Sequence, residues 1–257
     1  EKAEDVCKTL EAFVNKSGNV TVKLNAAAEA FIVHSKAVHG VKTSRGDIFA
    51  QKIILASGGM AAPETGSTGE GFSMLAKIGQ TVEEPDPNLA PLKTSAKWVH
   101  TMSGTSVNDM TLRYLQNGKA AHKARGRILF THFGISGPLV INSAYQAKEL
   151  LKKGPLTASI DLFPDQDLGS LDKLLLDLFE KQKNKRLKTA LKEVLQKKLV
   201  ETILELPQLG FGETAVHSIS KEQRKLLVRT LKDLQFPITG TMGFEWAIVA
   251  DGGVIPK

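Results

Sequence analysis

A single cysteine, Cys7, in 257 residues excludes an internal disulfide and a cysteine-built zinc site, and fits a reducing compartment. No apolar run reaches the eighteen or more residues of a membrane-spanning helix, so no membrane association is expected. The longest candidates, around Ile53 to Ala56, have the length of a strand. His34, His39, His100, His122 and His217 are scattered without ligand spacing, so no metal site is expected. No Gly-x-Ser-x-Gly elbow, internal repeat or low-complexity tract occurs. The chain opens on Glu1 without a signal-peptide pattern and its last residues run straight out of an extended stretch, so it reads as an interior portion of a longer, cytoplasmic protein.

What is present is an ordinary globular composition, 42% hydrophobic and 24% charged, with a formal charge of +7. Much of the excess lies in Lys181 to Lys198, where basic residues alternate with a leucine stripe. No aromatic residue interleaves with them to stack a base, so a solvated helix face is the expectation and nucleic acid is not an expected partner.

Residues 1–16 carry Val6, Leu10, Phe13 and Val14 at helical spacing, and Ser17-Gly18-Asn19 stops the helix. Val20, Val22 and Leu24 alternate like a strand; Ala30 to His34 and Ala37 to Thr43 continue a meander, with a hairpin turn at Ser44-Arg45-Gly46-Asp47. Lys52 to Gly59 is continuously apolar and then glycine-ended, the habit of a parallel strand buried on both faces. A glycine-rich loop follows; Ser67 and Glu70 have capping-box spacing, which leaves a structural cap and a ligand-facing loop both open. Val99 to Met102, Ser106 to Leu115 and Gly126 to Thr131 read as strands, with turns at Gly104 and Asn117-Gly118. Leu187, Leu191, Val194, Leu195, Leu199 and Ile203 follow helical spacing, as do Leu227, Leu231 and Leu234. Gly240 to Ile255 returns to extended chain.

Three ordered blocks, ILASGGMAAPETGSTGEGF (54–72), RILFTHFGISGP (127–138) and GTMGFEWAIVADGGV (240–254), resemble a family of bacterial FAD-dependent flavoproteins, the aminoacetone-oxidase-like and bile-acid dehydro-reductase-like oxidoreductases. The resemblance implies a mixed α+β and α/β chain: part of a two-dinucleotide-motif FAD-binding fold with an inserted antiparallel β-barrel-like domain and a helical subdomain. The expected division is 1–80, partial FAD-binding domain; 81–165, β-barrel-like insert; 166–235, helical insert; and 236–257, return toward the FAD-binding domain. In this family the fingerprint that receives the FAD pyrophosphate precedes the equivalent of residue 1, and a second glycine-rich stretch follows the equivalent of Lys257. This portion alone is therefore expected to be inactive and to lack the flavin.

The resemblance further implies an oxidoreductase parent, with NAD(P)H as a candidate electron donor and a small amine, ketone or enone as substrate. Ala56, Ser57, Gly58 and Gly59 match the family's strand-end motif, with Ser57 where threonine is usual, and Gly66, Gly69 and Gly71 belong to the loop that follows. All seven are expected near the cofactor. Thr131, His132, Ser136, Gly137 and Glu245 are the expected substrate-side residues, and His132 is a weak candidate for moving a proton. Ser136 also fits a helix N-cap before Pro138, which needs no ligand, and Trp246 fits ordinary packing. The competing reading is a non-catalytic module whose Lys181 to Lys198 face meets RNA or another anionic partner.

Overall fold

The computed structural model describes residues 2–256 and divides into two compact units, Glu1–Ala56 with Glu70–Val82, and Ser57–Gly69 with Glu83–Lys257. The first unit holds helix α1 (Ala3–Lys16), a three-stranded antiparallel meander β1 (Ala28–His34), β2 (Ala37–Thr43) and β3 (Gly46–Phe49), and helix α2 (Glu70–Lys77). Ser44 and Arg45 form the expected turn between β2 and β3. Thr43 Oγ1 donates to Gly46 O at 2.6 Å and locks that turn.

Two expectations fail in this unit. Val20, Val22 and Leu24 are exposed and lie outside any strand, because alternation alone supplies no partner for their backbone groups. The Lys52 to Gly59 run forms no strand either, and Ile54 is 91% exposed. A parallel strand needs hydrogen-bonded neighbours, and every registered strand pair among the described residues is antiparallel.

The second unit is built on a seven-stranded antiparallel sheet in the order β10-β9-β6-β7-β8-β5-β11. Its strands are β5 (Leu92–Lys93), β6 (Ser106–Gln116), β7 (Lys119–Phe130), β8 (Gly134–Ser136), β9 (Leu156–Asp161), β10 (Leu234–Ile238) and β11 (Gly240–Thr241). The β6–β7 hairpin turns on Asn117-Gly118, both at positive φ (51° and 74°), as a two-residue primed turn requires. The ladder does not close into a barrel. Its outermost strands, β10 and β11, are nevertheless separated in the chain only by Thr239, so the sheet curls until its edges meet at that corner. Thr94 Oγ1 donates to Pro237 O at 2.5 Å and Thr239 N donates to Lys93 O at 2.9 Å, joining the edges without a ladder. The expected barrel is thus an open, barrel-like sheet. A separate two-stranded sheet pairs β4 (Val82–Asn88) with β12 (Val249–Val254).

Helices α3 (Lys97–Thr101), α4 (Pro138–Asn142) and α5 (Ala144–Lys153) accompany the sheet, and α6 (Leu168–Lys181), α7 (Leu187–Ala190), α8 (Lys197–Leu204) and α9 (Lys221–Lys232) make the helical part. Residues 99–102 are therefore helical rather than extended. Val99 and Met102, three apart, are both fully buried, the one-face spacing of a helix. The leucine stripe of 187–203 is broken: α7 passes into a single tight turn at Leu191–Glu193, and extended Gln196 separates it from α8. Gln196 Nε2 donates to Ser106 O, which holds the break against β6, while Leu187, Leu191, Leu199 and Ile203 still all reach the core. One continuous core joins the sheet, through Leu112, Tyr114, Phe130 and Ile160, to the helices, through Leu171, Leu175, Leu199 and Leu227.

Candidate functional site

The glycine loop, the Thr131–Pro138 segment and the Gly243–Ala247 turn converge within the second unit. The loop of residues 57–69 closes on itself where Gly69 N donates to Gly59 O at 3.0 Å. Between them a short turn at Pro63–Thr65 is entered by Ala62 and left by Gly66, both at positive φ (52° and 93°). Gly66 has open space where a side chain would begin, and so does Gly59. Gly58 does not: a Cβ there would lie 2.7 Å from Ser67 Oγ, so the Ser67 side chain packs over Gly58. Ala62 N donates to Phe244 O at 3.0 Å, tying the loop to the third block.

Beyond the end of β7, Thr131 and Gly134 exchange backbone hydrogen bonds, at 2.8 Å to Gly134 O and 3.3 Å to Thr131 O, and Thr131 Oγ1 accepts from Gly134 N. This tight turn carries His132 exposed at its tip. Gly134 is the residue that permits it, because a Cβ there would come within 2.1 Å of Leu92 O on the neighbouring strand. The His132 ring meets the Phe133 ring edge to face at 4.9 Å, and Phe133 meets Trp246 at 5.0 Å. Trp246 is 46% exposed, so an accessible indole lies across Phe133 from the exposed imidazole. Its own turn is pinned by Trp246 N to Gly243 O at 3.0 Å and by Ile248 N to Leu89 O at 3.3 Å.

The remaining residues fall as follows. Glu245 is exposed on the turn next to Trp246, and Ser57 is exposed at the start of the loop. Ser136 is not a helix cap; it pairs with Leu129 in the sheet, and Gly137 occupies the N-cap of α4 without a side-chain bond. Gly137 passes so close to β7 that a Cβ would meet Leu129 N at 3.0 Å. Helix α4 is one short turn, which leaves no basis for an anion site there. Ala56 and Gly71 belong to the other unit, Ala56 exposed outside regular structure and Gly71 buried in α2. Phe133 escaped sequence reasoning, although it stands beside His132 in the matching block; only the turn at Gly134 shows that it bridges His132 to Trp246.

For the flavin that the resemblance implies, the loop offers only part of a site. Bare backbone at Gly59 and Gly66 would allow close approach of a flat ligand. The described residues form no parallel crevice and the apolar run before Gly58 stands unpaired, so by themselves they do not fit a dinucleotide.

Comparison with known proteins agrees with the second unit. The family model for the HI0933-like protein barrel and H2TH domain matches residues 86–249. A protein of Escherichia coli named ribosomal RNA dihydrouridine synthase is 27% identical over 93% of this chain and 56% of its own length. Its namesake in Haemophilus influenzae is 31% identical over 80% of this chain and 48% of its own. The 3-dehydro-bile acid delta(4,6)-reductase of Clostridium scindens is 27% identical over 80% of this chain and 50% of its own. All three are named for oxidoreductase chemistry, and the chain spans about half the length of each. With its open, barrel-like sheet and helical part covered by that model over most of the chain, the protein belongs to the HI0933-like family.

Proposed function

We propose that the full-length protein is a reductase of carbon–carbon double bonds conjugated to a carbonyl, acting on uracil in RNA, and that this chain forms its substrate-facing wall. The observation that carries the reading is the His132–Phe133–Trp246 cluster, with His132 and Trp246 exposed, on a turn that the Ala62–Phe244 hydrogen bond ties to the loop carrying the bare backbone of Gly59 and Gly66. A planar conjugated ring stacks on such a face, and stacking of a base on an aromatic side chain contributes about 1–3 kcal/mol.

The relatives' names point the same way. Making dihydrouridine saturates the uracil double bond next to a carbonyl, and a delta(4,6)-reductase of a 3-dehydro steroid acts on double bonds conjugated to a ketone. In either reduction a hydride adds to the carbon distal to the carbonyl and a proton to the proximal one. His132 is the candidate to deliver that proton, being exposed and next to the stacking face. FAD, with NAD(P)H as electron donor, would be the source of the hydride. A small enone remains the second reading, favoured by the bile-acid relative.

The test uses the full-length protein. It should purify yellow, and ribosomal RNA from cells lacking it should lose a dihydrouridine that the wild-type gene restores, read by mass spectrometry. Trp246→Ala should lower turnover on RNA roughly tenfold through lost stacking, and His132→Gln by about a hundredfold or more through lost proton delivery. A colourless protein that cannot be reconstituted with flavin would sink the redox reading. Unchanged ribosomal RNA together with reduction of a steroid enone would select the small-molecule substrate.

A further inference from the structure

The cleft between β7 and α4 is separate from the His132 cluster but lies on the strand that leads to it. It has a volume of about 320 Å³ and is lined by His122, Arg125, Gly126, Arg127, Asn142 and Ser143 among others. That is the low end of the small-ligand range, the size of one nucleotide. His122 stacks on the buried Tyr114 at 5.6 Å, nearly parallel, and Tyr114 in turn hydrogen-bonds Ser143 at 2.8 Å. The imidazole is therefore held in place, yet its Nε2 is buried with no hydrogen-bond partner. A buried polar atom left without a partner costs free energy, and the cleft beside this ring offers Arg125, Arg127 and Asn142 as its polar lining.

The strand itself adds a second observation. On its outer side β7 is paired only at Leu129 and Phe130, by β8, so the rest of that edge offers free backbone groups. Lys123, Arg125 and Arg127 alternate along it and are all exposed, about 7 Å apart in an extended strand, the order of spacing of successive phosphates. Arg125 is already engaged: its guanidinium grips Asp109 at 2.6 Å and Asp165 at 2.6 Å, which holds those carboxyl groups ionised below their ordinary range. Lys123 and Arg127, on either side of it, have no ion pair among the described residues. By contrast, the Lys181 to Lys198 stretch has Arg186 and Lys188 engaged with Glu213, and Lys192 with Glu201.

From these observations, and resting on the RNA reading above, we infer that β7 is a docking track for the substrate RNA. The backbone of the docked RNA follows the strand, with phosphates two steps apart at Arg127 and Lys123, and one nucleotide occupies the β7–α4 cleft beside Asn142. From Arg127 the strand runs straight on to Thr131 and His132, about 15 Å further at the rise of an extended chain. A strand docked there would carry a base a few nucleotides along to the stacking face.

The experiment measures binding of a fluorescein-labelled single-stranded RNA oligonucleotide to the full-length protein by anisotropy over a range of salt concentrations. Lys123→Gln with Arg127→Gln should weaken binding roughly tenfold or more at low salt and flatten the salt dependence by about 0.7 per lost phosphate contact. Lys123→Arg with Arg127→Lys should retain most of both. In the wild-type protein, bound RNA should protect Lys123 from acetylation, a readout independent of whether any variant folds. Wild-type protein that fails to bind RNA at low salt overturns the RNA reading itself. Wild-type binding with an unchanged slope in the double variant, or an unprotected Lys123, overturns the docking track alone.

Discussion

Gly134 shows how much one missing side chain decides. The sheet could not hold β5 against β8 with any larger residue there, since the added carbon would sit 2.1 Å from the Leu92 carbonyl oxygen. Gly134→Ala should cost about 3 kcal/mol or unfold the His132 turn, seen as a lower urea midpoint. Tyr114 supplies a pH test at the same scale. Burial pushes its phenol up to about 12, against a bond to Ser143 that acts the other way. Because the folded value lies above the unfolded one, this residue's contribution is complete below about pH 10 and declines as the pH rises toward 12. Tyr114→Phe should remove that alkaline loss, monitored by thermal unfolding between pH 9 and about 12. Its cost at neutral pH should be only about 1 kcal/mol, because Ser143 still donates to Leu139 O.

Among elements, β4 and β12 are joined to α5 by one ammonium. Lys148, only 9% exposed, bridges Asp251 at 2.8 Å and Asp86 at 3.1 Å, and Asn88 Nδ2 donates to Asp251 as well. The bonds from Lys148, then from Asn88, hold the Asp251 carboxyl below its ordinary 3.8. A carboxylate depressed in the folded state stabilises above its unfolded value and loses that stabilisation as the pH falls through the folded one. Acidification from pH 5 to below 3.8 should therefore loosen β12 first, read by amide exchange of Val249 to Val254. Lys148→Met should abolish the acid sensitivity of those amides and cost only about 1 kcal/mol at neutral pH, since both carboxylates are nearly half exposed and remain hydrated without their partner. Equal exchange across that pH range in the wild type would contradict this assignment.

At the scale of the whole molecule the two units differ in kind. The second has a continuous apolar core, whereas α1 in the first has no buried residue and shows Val6, Leu10 and a 75% exposed Phe13 to solvent. Burial, not helix propensity, supplies most helical stability in proteins. Amides of α1 should exchange orders of magnitude faster than those of β6 and β9, and slow exchange throughout α1 in the isolated chain would refute that expectation.

Much was legible without coordinates: the extended runs of β1 and β2, the Asn117-Gly118 hairpin, and the leucine spacing of α9. These are local, because propensity and turn chemistry act between near neighbours. Where periodicity was shared between two structures the sequence misled: Val99 to Met102 took the helix that packs Trp98 edge-on against Phe236 at 5.4 Å. The three matching blocks hold the residues of the candidate site. That His132, Phe133 and Trp246 form one face, that Ser136 is a strand residue, and that His122 is held against Tyr114 with a bare nitrogen depended on contacts between segments far apart in the chain. Sequence alone settled the hydrophobic pattern and the family's blocks, because both are written in residue types. Which polar atoms found partners, and which were buried without one, was decided by tertiary packing alone.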